Sequence, residues 1–508
     1  MSGQGRDHWA TKTGLILALA GNAIGLGNFL RFPGQAAAHG GGAFMIPYFL
    51  SLALIGIPLM WAECAIGRYG GAFGHGHTAG MLDRLWPHPA AKYVGVFGIF
   101  IPFTVALYYI PITSWCLAFS FFSATGAYDG LATTAEVSGF LKAFQGFGGD
   151  GHFSGPWTMY AFYLLTLGVT LGVLRGGIAR GIERLAKVAL PTLFALAALL
   201  VLRVLTLDPP PGAGPDQSVS SGLGFVWNPR LDELANADVW LAAAGQVFFT
   251  LSVGWGIIHT YTSYVRRDDD IALTGLSTAS LNEFAEVVLG GTIAITAAVV
   301  FFGISATQQI ATSTFDLGFN AMSVIFQGLP LGHALGALWF LLLFFAGLTS
   351  AVAITQPMVA LLQEGFGVTR DRAVALTGIA LFVLSQPVLL WQGTLDELDF
   401  WAGTFSLLVF GLAEVLIFAW MFGIDRGWEE ITRGAQIRVP RLVRVLLQWI
   451  TPGFLALILL GFSIQSLPAA VSTGGPAKWA ARFMMIAIFA TIALLVRSAL
   501  RPRSSEAR

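Results

Sequence analysis

The first apolar segment, residues 9–38, carries Asn22, Gly25, Gly27 and Asn28 near its middle. A segment of this length can cross a bilayer, which takes about 20 residues. Glycine in a helix interior costs about 1 kcal/mol relative to alanine, and carbonyls freed inside the bilayer need polar partners. Carbonyl and amide oxygens at such a break suit a dehydrated hard cation, and the start of the second half-helix suits an anionic group. The alternative is that the glycines only let two helices cross closely.

A second apolar segment, residues 239–262, carries a similar interruption. Its run from Gln246 to Gly256 places Thr250, Ser252 and Gly254 among apolar residues. Matched interruptions in the two halves of a transporter are the best sequence indication of its binding site. Because the breaks fall in the first and sixth spans, we predict two repeats of five spans, with the second copy inverted in the membrane.

Ionisable and hydroxyl side chains also lie within the apolar segments. Glu286 follows Asn282 by one helical turn on the same face, and an intramembrane carboxylate is a functional candidate. Glu63 is also intramembrane, and we favour structural hydrogen bonding for it. Thr349 and Ser350 offer two hydroxyl oxygens, although such residues often bond back to their own helix carbonyls. An all-oxygen set of this kind indicates a hard cation and argues against a transition metal.

The composition defines a membrane protein. Of 508 residues, 55% are hydrophobic and only 11% are charged, whereas a soluble domain is about 25% charged. Positive and negative residues number 28 each, so charge gives no indication of nucleic-acid binding. The eight histidines form no set with metal-ligand spacing, and we expect them on the solvated surface. No nucleophile with a partner base and no nucleotide-binding motif appears, so we do not expect an enzyme.

The apolar segments predict an all-α polytopic fold of about 12 transmembrane helices. We place them at 11–37, 42–69, 91–123, 158–174, 187–205, 239–262, 272–303, 331–363, 373–390, 397–423, 443–466 and 478–499. We predict a cytoplasmic N-terminus (1–10), a first repeat (11–205), an extracellular loop (206–238), a second repeat (239–423), two further spans (424–500) and a cytoplasmic tail (501–508). With both termini inside, 22 of the 28 Lys and Arg residues lie on the cytoplasmic side.

Several motifs in this order resemble the neurotransmitter:sodium symporter family, with its bacterial members the nearest match. They are Gly21-Asn22-Ala23-Ile24-Gly25-Leu26-Gly27-Asn28-Phe29-Leu30-Arg31-Phe32-Pro33, Gly40-Gly41-Gly42-Ala43-Phe44, Gly67-Arg68-Tyr69-Gly70, Leu281-Asn282-Glu283, Gly347-Leu348-Thr349-Ser350 and Asp399-Phe400-Trp401. The resemblance covers nearly the whole chain. It implies a 5+5 inverted repeat and uptake of a solute with sodium by alternating access.

The resemblance also implies two sodium sites, a substrate pocket and two gates. The first sodium site would use the Ala23 carbonyl, Asn28, Thr250, Asn282 and the substrate carboxylate. The second would use the carbonyls of Gly21, Ile24 and Ala346 with the hydroxyls of Thr349 and Ser350. The pocket would comprise Asn22, Ala23, Gly27, Val105, Tyr109, Phe249, Thr250, Ser252, Trp255, Ser350 and Ile354. The outer gate would be Arg31 with Asp399, and the inner gate would involve Arg6, Ser263, Tyr264 and Glu364.

Gly25 and Trp255 bear on the substrate. Family members that carry amines without a carboxylate have an aspartate where this chain has Gly25, so we expect a zwitterionic amino acid here. The apolar walls indicate a neutral side chain. Trp255 replaces a phenylalanine of similar bacterial transporters, and its bulk favours small side chains such as those of glycine or alanine. If Trp255 turns outward, this size preference does not follow.

Glu286 bears on the dependence on chloride. Chloride-dependent members of the family carry a neutral residue at this position, so a carboxylate here would make chloride dispensable. It could also take up a proton on the return step. The alternative is a permanently hydrogen-bonded carboxyl near Tyr48 and Gln246.

The sequence therefore predicts a chloride-independent sodium symporter for small neutral amino acids in the inner membrane of a prokaryote. Its partners would be the amino acid, two sodium ions and the lipid bilayer, and a homodimer is left open. Arg31 could instead be an interfacial anchor. A transport-inactive sensor and a channel-like protein of the same fold are the alternative functions.

Overall fold

The computed structural model describes residues 8–148, 152–311 and 315–500, apart from the side chains of Asp232, Glu233 and Ala237. Residues 1–7, with Arg6, and the predicted tail 501–508 lie outside the described residues. Within the described ranges the regular structure is entirely helical, which confirms the predicted all-α class.

Span 1 is broken where the sequence predicted. It consists of span 1a, Lys12–Ala23, and span 1b, Gly27–Ala38, which are bent by 46° relative to each other. The freed amides are satisfied by side chains. The Gly25 amide donates to Oδ1 of Asn28 at 2.9 Å, and the Leu26 amide donates to the Tyr109 hydroxyl at 3.1 Å. The break is therefore a formed structure with its own polar partners.

Span 6 is also broken. Span 6a, Ala237–Thr250, ends before a non-helical stretch, and span 6b runs over Ile257–Thr262. Ser252, Gly254 and Gly256 have φ angles of +53°, +76° and +79°. A serine in the left-handed region costs energy that a plain helix would not incur, and such conformations concentrate at functional sites.

The other spans are continuous. Ten helices of the described chain are long and apolar enough to cross a membrane, and the bent pair of span 1 gives an eleventh. Spans 2, 3, 4, 5, 7, 8, 9, 10, 11 and 12 are Gly42–Ala72, Ala91–Thr125, Trp157–Arg175, Ile178–Val204, Ile271–Phe302, Gly332–Phe366, Arg370–Leu390, Thr394–Thr432, Leu442–Gln465 and Pro476–Ala499. The two short halves of span 6 complete the predicted twelve.

Shorter helices lie in the connections between spans. They are Thr78–Leu85, Thr134–Phe144, Val219–Trp227, Ile304–Ile310 and Met322–Gln327.

Spans 3 and 8 run side by side behind the two breaks. Ser120 of span 3 donates to the Ala337 carbonyl of span 8 at 2.9 Å. Further along, a side chain at Gly347 would come within 2.6 Å of the Thr113 hydroxyl, so only glycine allows this close approach. The pair holds Tyr109 and Ser350 against the break in span 1.

Candidate functional site

The Asn28 side chain of span 1b contacts side chains of span 6a and span 7. Its Nδ2 lies 2.9 Å from Oδ1 of Asn282 and 3.3 Å from Oγ1 of Thr250. Asn282 in turn donates to Thr250 at 2.8 Å. All three side chains are buried. The structure thus brings together the three side chains predicted for the first sodium site. Thr250 and Asn282 present oxygen atoms suited to a hard cation, whereas Asn28 turns its amide nitrogen toward them and its oxygen toward the Gly25 amide.

Glu286 lies directly beside this cluster and is fully buried. Its Oε2 is 3.0 Å from Nδ2 of Asn28 and also accepts a hydrogen bond from the Thr250 hydroxyl. Gln246 donates to its Oε1 at 2.7 Å. Tyr48, which the sequence placed near Glu286, donates to the neighbouring Glu283 at 2.7 Å. Both carboxylates therefore contact the cluster of Asn28, Thr250 and Asn282: Glu286 accepts from Asn28 at 3.0 Å, and Glu283 accepts from Asn282 at 3.4 Å.

A small cavity of about 20 Å³ lies at the two helix breaks. Its lining is Asn22, Ala23, Gly25, Gly27, Asn28, Tyr109, Phe249, Thr250, Ser252, Trp255, Ser350 and Ile354. Ten of the eleven predicted pocket residues are in this set. Val105 is the exception, since it is buried one turn before Tyr109 on span 3 and does not line the cavity.

The polar wall of the cavity surrounds Gly25. A Cβ at this position would lie 2.8 Å from the Tyr109 hydroxyl and 2.9 Å from Oγ of Ser350, so there is no room for a larger residue. The amide group of Asn22 is buried, and within the described residues neither its oxygen nor its nitrogen has a hydrogen-bond partner. These atoms are available to a polar ligand.

The apolar wall is formed by stacked side chains. Trp255 packs edge-on against Phe249 with ring centroids 5.8 Å apart, and it faces the cavity rather than turning outward. The guanidinium of Arg31 covers the Phe249 ring at 4.4 Å from its centroid. Asp399 accepts a hydrogen bond from Tyr108 at 2.6 Å. Among the described residues, no ion pair within 4 Å joins Arg31 to Asp399.

The second predicted ion site joins span 1a to span 8. The Ser350 hydroxyl lies 3.0 Å from the Asn22 carbonyl and 3.5 Å from the Gly21 carbonyl. It is also 3.2 Å from the Ala346 carbonyl of its own helix, and Thr349 lies 3.0 Å from the same oxygen. Both hydroxyls therefore donate to carbonyls of their own helix, which is the alternative that the sequence left open. Ser350 also contacts span 1a. Ile24 is buried at the end of span 1a.

The predicted inner-gate residues that the structure describes are Ser263, Tyr264 and Glu364. Gln356 donates to the Tyr264 hydroxyl at 3.2 Å, and the Gly76 amide donates to the Glu364 carboxylate. Ser263 donates to the Thr260 carbonyl at 2.7 Å. These contacts connect Tyr264 to span 8, Glu364 to the connection after span 2, and Ser263 to the end of its own helix.

Sequence reasoning missed one polar cluster. His259, expected on the solvated surface, is fully buried, with Nδ1 3.2 Å from Glu63 and Nε2 3.4 Å from Glu414. His77 is likewise buried, and its ring accepts a hydrogen bond from the Gly80 amide at the start of a helix. The signal that could have revealed the cluster is an ionisable residue in each of three apolar segments.

Broken membrane helices around a polar cavity, with oxygen-rich side chains at both breaks, define a class of membrane transporter. Comparison with known proteins agrees with this assignment. The profile of the Sodium:neurotransmitter symporter family matches residues 6–133 and 140–501. The chain belongs to this family.

Individual relatives support the same conclusion. The chain is 31% identical to an uncharacterised sodium-dependent transporter of Methanocaldococcus jannaschii, with 86% of this chain and 87% of the relative covered. It is 30% identical to the sodium-dependent transporter YhdH of Bacillus subtilis, with 82% and 86% covered. It is similar to the crystal structure of MhsT in complex with L-phenylalanine, at 29% identity and a TM-score of 0.76, with 90% of this chain and 99% of that chain covered.

Proposed function

We propose that this protein is a chloride-independent symporter that takes up small neutral amino acids together with two sodium ions by alternating access. The observation that carries the proposal is the convergence of Asn28, Thr250 and Asn282, of which Asn28 and Thr250 line the cavity. A bound amino-acid carboxylate next to these oxygens completes the first sodium site. Each ligand then raises the affinity for the other by the same factor.

The surroundings of Gly25 support a zwitterionic substrate. A residue without a side chain provides no carboxylate to neutralise a ligand ammonium, which therefore meets the Asn22 amide, backbone carbonyls and the Ser350 hydroxyl. The ligand carboxylate faces the Tyr109 hydroxyl and sodium. That the similar MhsT structure holds L-phenylalanine agrees with an amino acid in this pocket.

The apolar wall supports a small, neutral side chain. Trp255 and Phe249 occupy the part of the cavity where a ligand side chain would lie, and indole is larger than the phenylalanine of similar bacterial transporters. The cavity itself is small, at about 20 Å³. Glycine and alanine therefore fit with the least rearrangement.

Glu286 supports independence of chloride. Its carboxylate already supplies a negative charge next to the asparagine cluster, so an external anion is not required there. In the same proposal, a sodium ion at the second site connects span 1a to span 8 through Ser350. This connection holds the inner gate closed until the ion leaves.

Two sodium ions provide enough energy for concentrative uptake. Each charge moved through about 100 mV gains about 2.3 kcal/mol, and a tenfold ion gradient adds about 1.4 kcal/mol. Two ions supply roughly 7 kcal/mol, which sustains an amino-acid ratio on the order of 10⁵. Spans 1, 2, 6 and 7 rock against spans 3, 4, 8 and 9, between the Arg31–Asp399 gate and the cytoplasmic gate. The protein works in the inner membrane with both termini in the cytoplasm.

Purified protein in proteoliposomes tests the proposal. An inward sodium gradient should drive accumulation of labelled alanine above its outside concentration, and replacing sodium by potassium should abolish it. A sensor would bind alanine without accumulating it. A channel would equilibrate solute without concentrating it. Either result would contradict the proposal.

A further inference from the structure

A buried cluster of three ionisable side chains lies at span 6b, whereas the cluster of Asn28, Thr250 and Asn282 lies at the end of span 6a. His259 of span 6b contacts Glu63 of span 2 through Nδ1 and Glu414 of span 10 through Nε2. All three side chains have no exposed surface. Their ligand atoms lie within 4.8 Å of one another. The proposed sodium and substrate sites use none of them.

One hydrogen bond from a backbone amide connects the cluster to the substrate cavity. The Gly254 amide, in the unwound part of span 6, donates to Oε1 of Glu63 at 2.6 Å. Gly254 follows Ser252 and precedes Trp255, both of which line the cavity. A change in the charge or position of Glu63 therefore acts directly on the backbone that shapes the cavity.

The charge of the cluster requires a bound cation or proton. Two ionised carboxylates and a neutral imidazole carry two negative charges, and burying uncompensated charge is strongly unfavourable. Five buried atoms, namely Oε2 of Glu63, both ring nitrogens of His259 and both carboxylate oxygens of Glu414, have no aligned hydrogen bond within the described residues. The cluster thus has unused capacity to bind a small cationic ligand.

The neighbouring groups do not compensate this charge. Within five residues of Glu63, His259 or Glu414, the other ionisable side chains are Cys64, Arg68, Tyr261 and Tyr264. Arg68 is bound by Glu430 and by the carbonyls of Asp269 and Arg433. Cys64 is a free thiol, and the Tyr264 hydroxyl accepts from Gln356. The Phe410 ring of span 10 lies tilted beside the imidazole, with ring centroids 6.3 Å apart, and it stacks on Phe97 of span 3, so neither ring adds charge.

The arrangement favours a proton over a metal ion. An imidazolium donates from both ring nitrogens at once, whereas neutral imidazole donates from only one. Here each carboxylate faces a different ring nitrogen, at 3.2 Å for Glu63 and 3.4 Å for Glu414, so a positive charge on the imidazole would lie between two acidic groups that favour it. The ligand atoms of all three residues lie close enough for one metal ion to reach each of them, but a metal ion would use only one ring nitrogen, whereas both ring nitrogens here face a carboxylate.

We propose that Glu63, His259 and Glu414 form a proton-binding site that holds span 6b against spans 2 and 10 and links protonation to the substrate cavity through Gly254. The linkage to transport rests on the proposed function, in which spans 2 and 6 move together and span 10 does not belong to their group. The contact between His259 and Glu414 then changes during the cycle, whereas the contact between His259 and Glu63 is kept.

Thermal unfolding without amino acid tests the site itself. The protonated cluster is the stabilised form, so its contribution is present at low pH and is lost as the pH rises. The unfolding temperature of the full chain in sodium buffer should fall as the pH is raised from about 6 to about 9. Glu414→Gln keeps the shape but removes one charge, and its curve should be flatter. Glu429→Gln, at an exposed position of the same span, should follow the parent curve.

Binding of labelled alanine tests the linkage. The affinity of the parent should fall with rising pH by at most about tenfold per pH unit for one proton, and Glu414→Gln should reduce this slope. His259→Gln serves as the second variant if Glu414→Gln does not fold, with the exposed His88→Gln as its control. If alanine fails to bind at any pH while the unfolding curves differ as expected, the proposed substrate fails and the proton site stands.

Two results would overturn the proton site. One is a Glu414→Gln or His259→Gln unfolding curve parallel to that of the parent. The other is a stoichiometric transition metal in the purified parent that is absent from His259→Gln, measured by mass spectrometry of the metal content.

Discussion

The Nδ2 atom of Asn28 lies 3.0 Å from Oε2 of Glu286. This bond joins the break in span 1 to a carboxyl group on span 7, next to the proposed first sodium site. The same carboxylate accepts from Gln246 and Thr250 of span 6a. Both breaks are therefore linked to one acidic residue.

Removing this carboxylate should create a requirement for chloride. Glu286→Ser leaves Gln246, Thr250 and Asn28 as donors without their acceptor, and a chloride ion can take its place. We expect sodium-driven alanine uptake by this variant to fall at least tenfold when chloride is replaced by gluconate. The parent and the exposed Glu429→Ser should be unaffected. Indifference of Glu286→Ser to chloride, with uptake retained, would contradict the role given to Glu286.

Gly25 should not tolerate a side chain. A Cβ there would lie within 3 Å of the Tyr109 hydroxyl and the Ser350 hydroxyl, and both groups are held by further hydrogen bonds. Gly25→Ala should lower alanine affinity at least tenfold, or about 1.4 kcal/mol, in equilibrium binding. Gly168→Ala is the matched control, because that glycine lies on an exposed face of span 4 with open space around it. Equal affinity of the two variants would contradict the proposed pocket.

Trp255 should set the upper size of the substrate. Replacing it with phenylalanine removes the larger ring from the cavity wall, so Trp255→Phe should improve leucine affinity relative to glycine by roughly 10-fold or more, which corresponds to the 1–3 kcal/mol typical of one methylene in an apolar pocket. Competition against labelled alanine measures the ratio. Trp157→Phe, at a position 76% exposed, should leave it unchanged. An unchanged ratio in Trp255→Phe would show that another residue sets the size.

Ser350 should affect sodium dependence more than folding. Ser350→Ala removes the hydroxyl that reaches the carbonyls of Gly21 and Asn22. We expect the sodium concentration for half-maximal alanine binding to rise several-fold, with the unfolding midpoint little changed. Ser463→Ala, which removes a hydroxyl bonded only within span 11, provides the comparison. A parallel response of the two variants would argue that Ser350 is structural.

Much of the fold was predictable because hydropathy and glycine placement act locally. The break at Gly25 and Gly27 and the run ending at Gly256 were both found from sequence, since backbone freedom and apolar length are properties of one segment. The predicted sodium-site residues Asn28 and Asn282 came from the resemblance to the family and not from periodicity.

Other parts of the site depended on three-dimensional packing. Val105 has the right type and shares a helix face with Tyr109, but it lies one turn further along span 3 and does not line the cavity. His259 was misjudged because its partners Glu63 and Glu414 lie on distant segments of the chain. A single histidine in an apolar run gives no sign of the carboxylates that the fold brings to its two nitrogens.

The most direct test of the central claim is the alanine affinity of the purified protein as sodium is titrated at constant ionic strength with potassium as the replacement. The account predicts that the dissociation constant falls as sodium rises, that potassium does not substitute, and that Asn28→Leu loses this dependence. Equal alanine affinity in sodium and in potassium would contradict the claim that oxygen atoms at the two helix breaks bind the coupling ions.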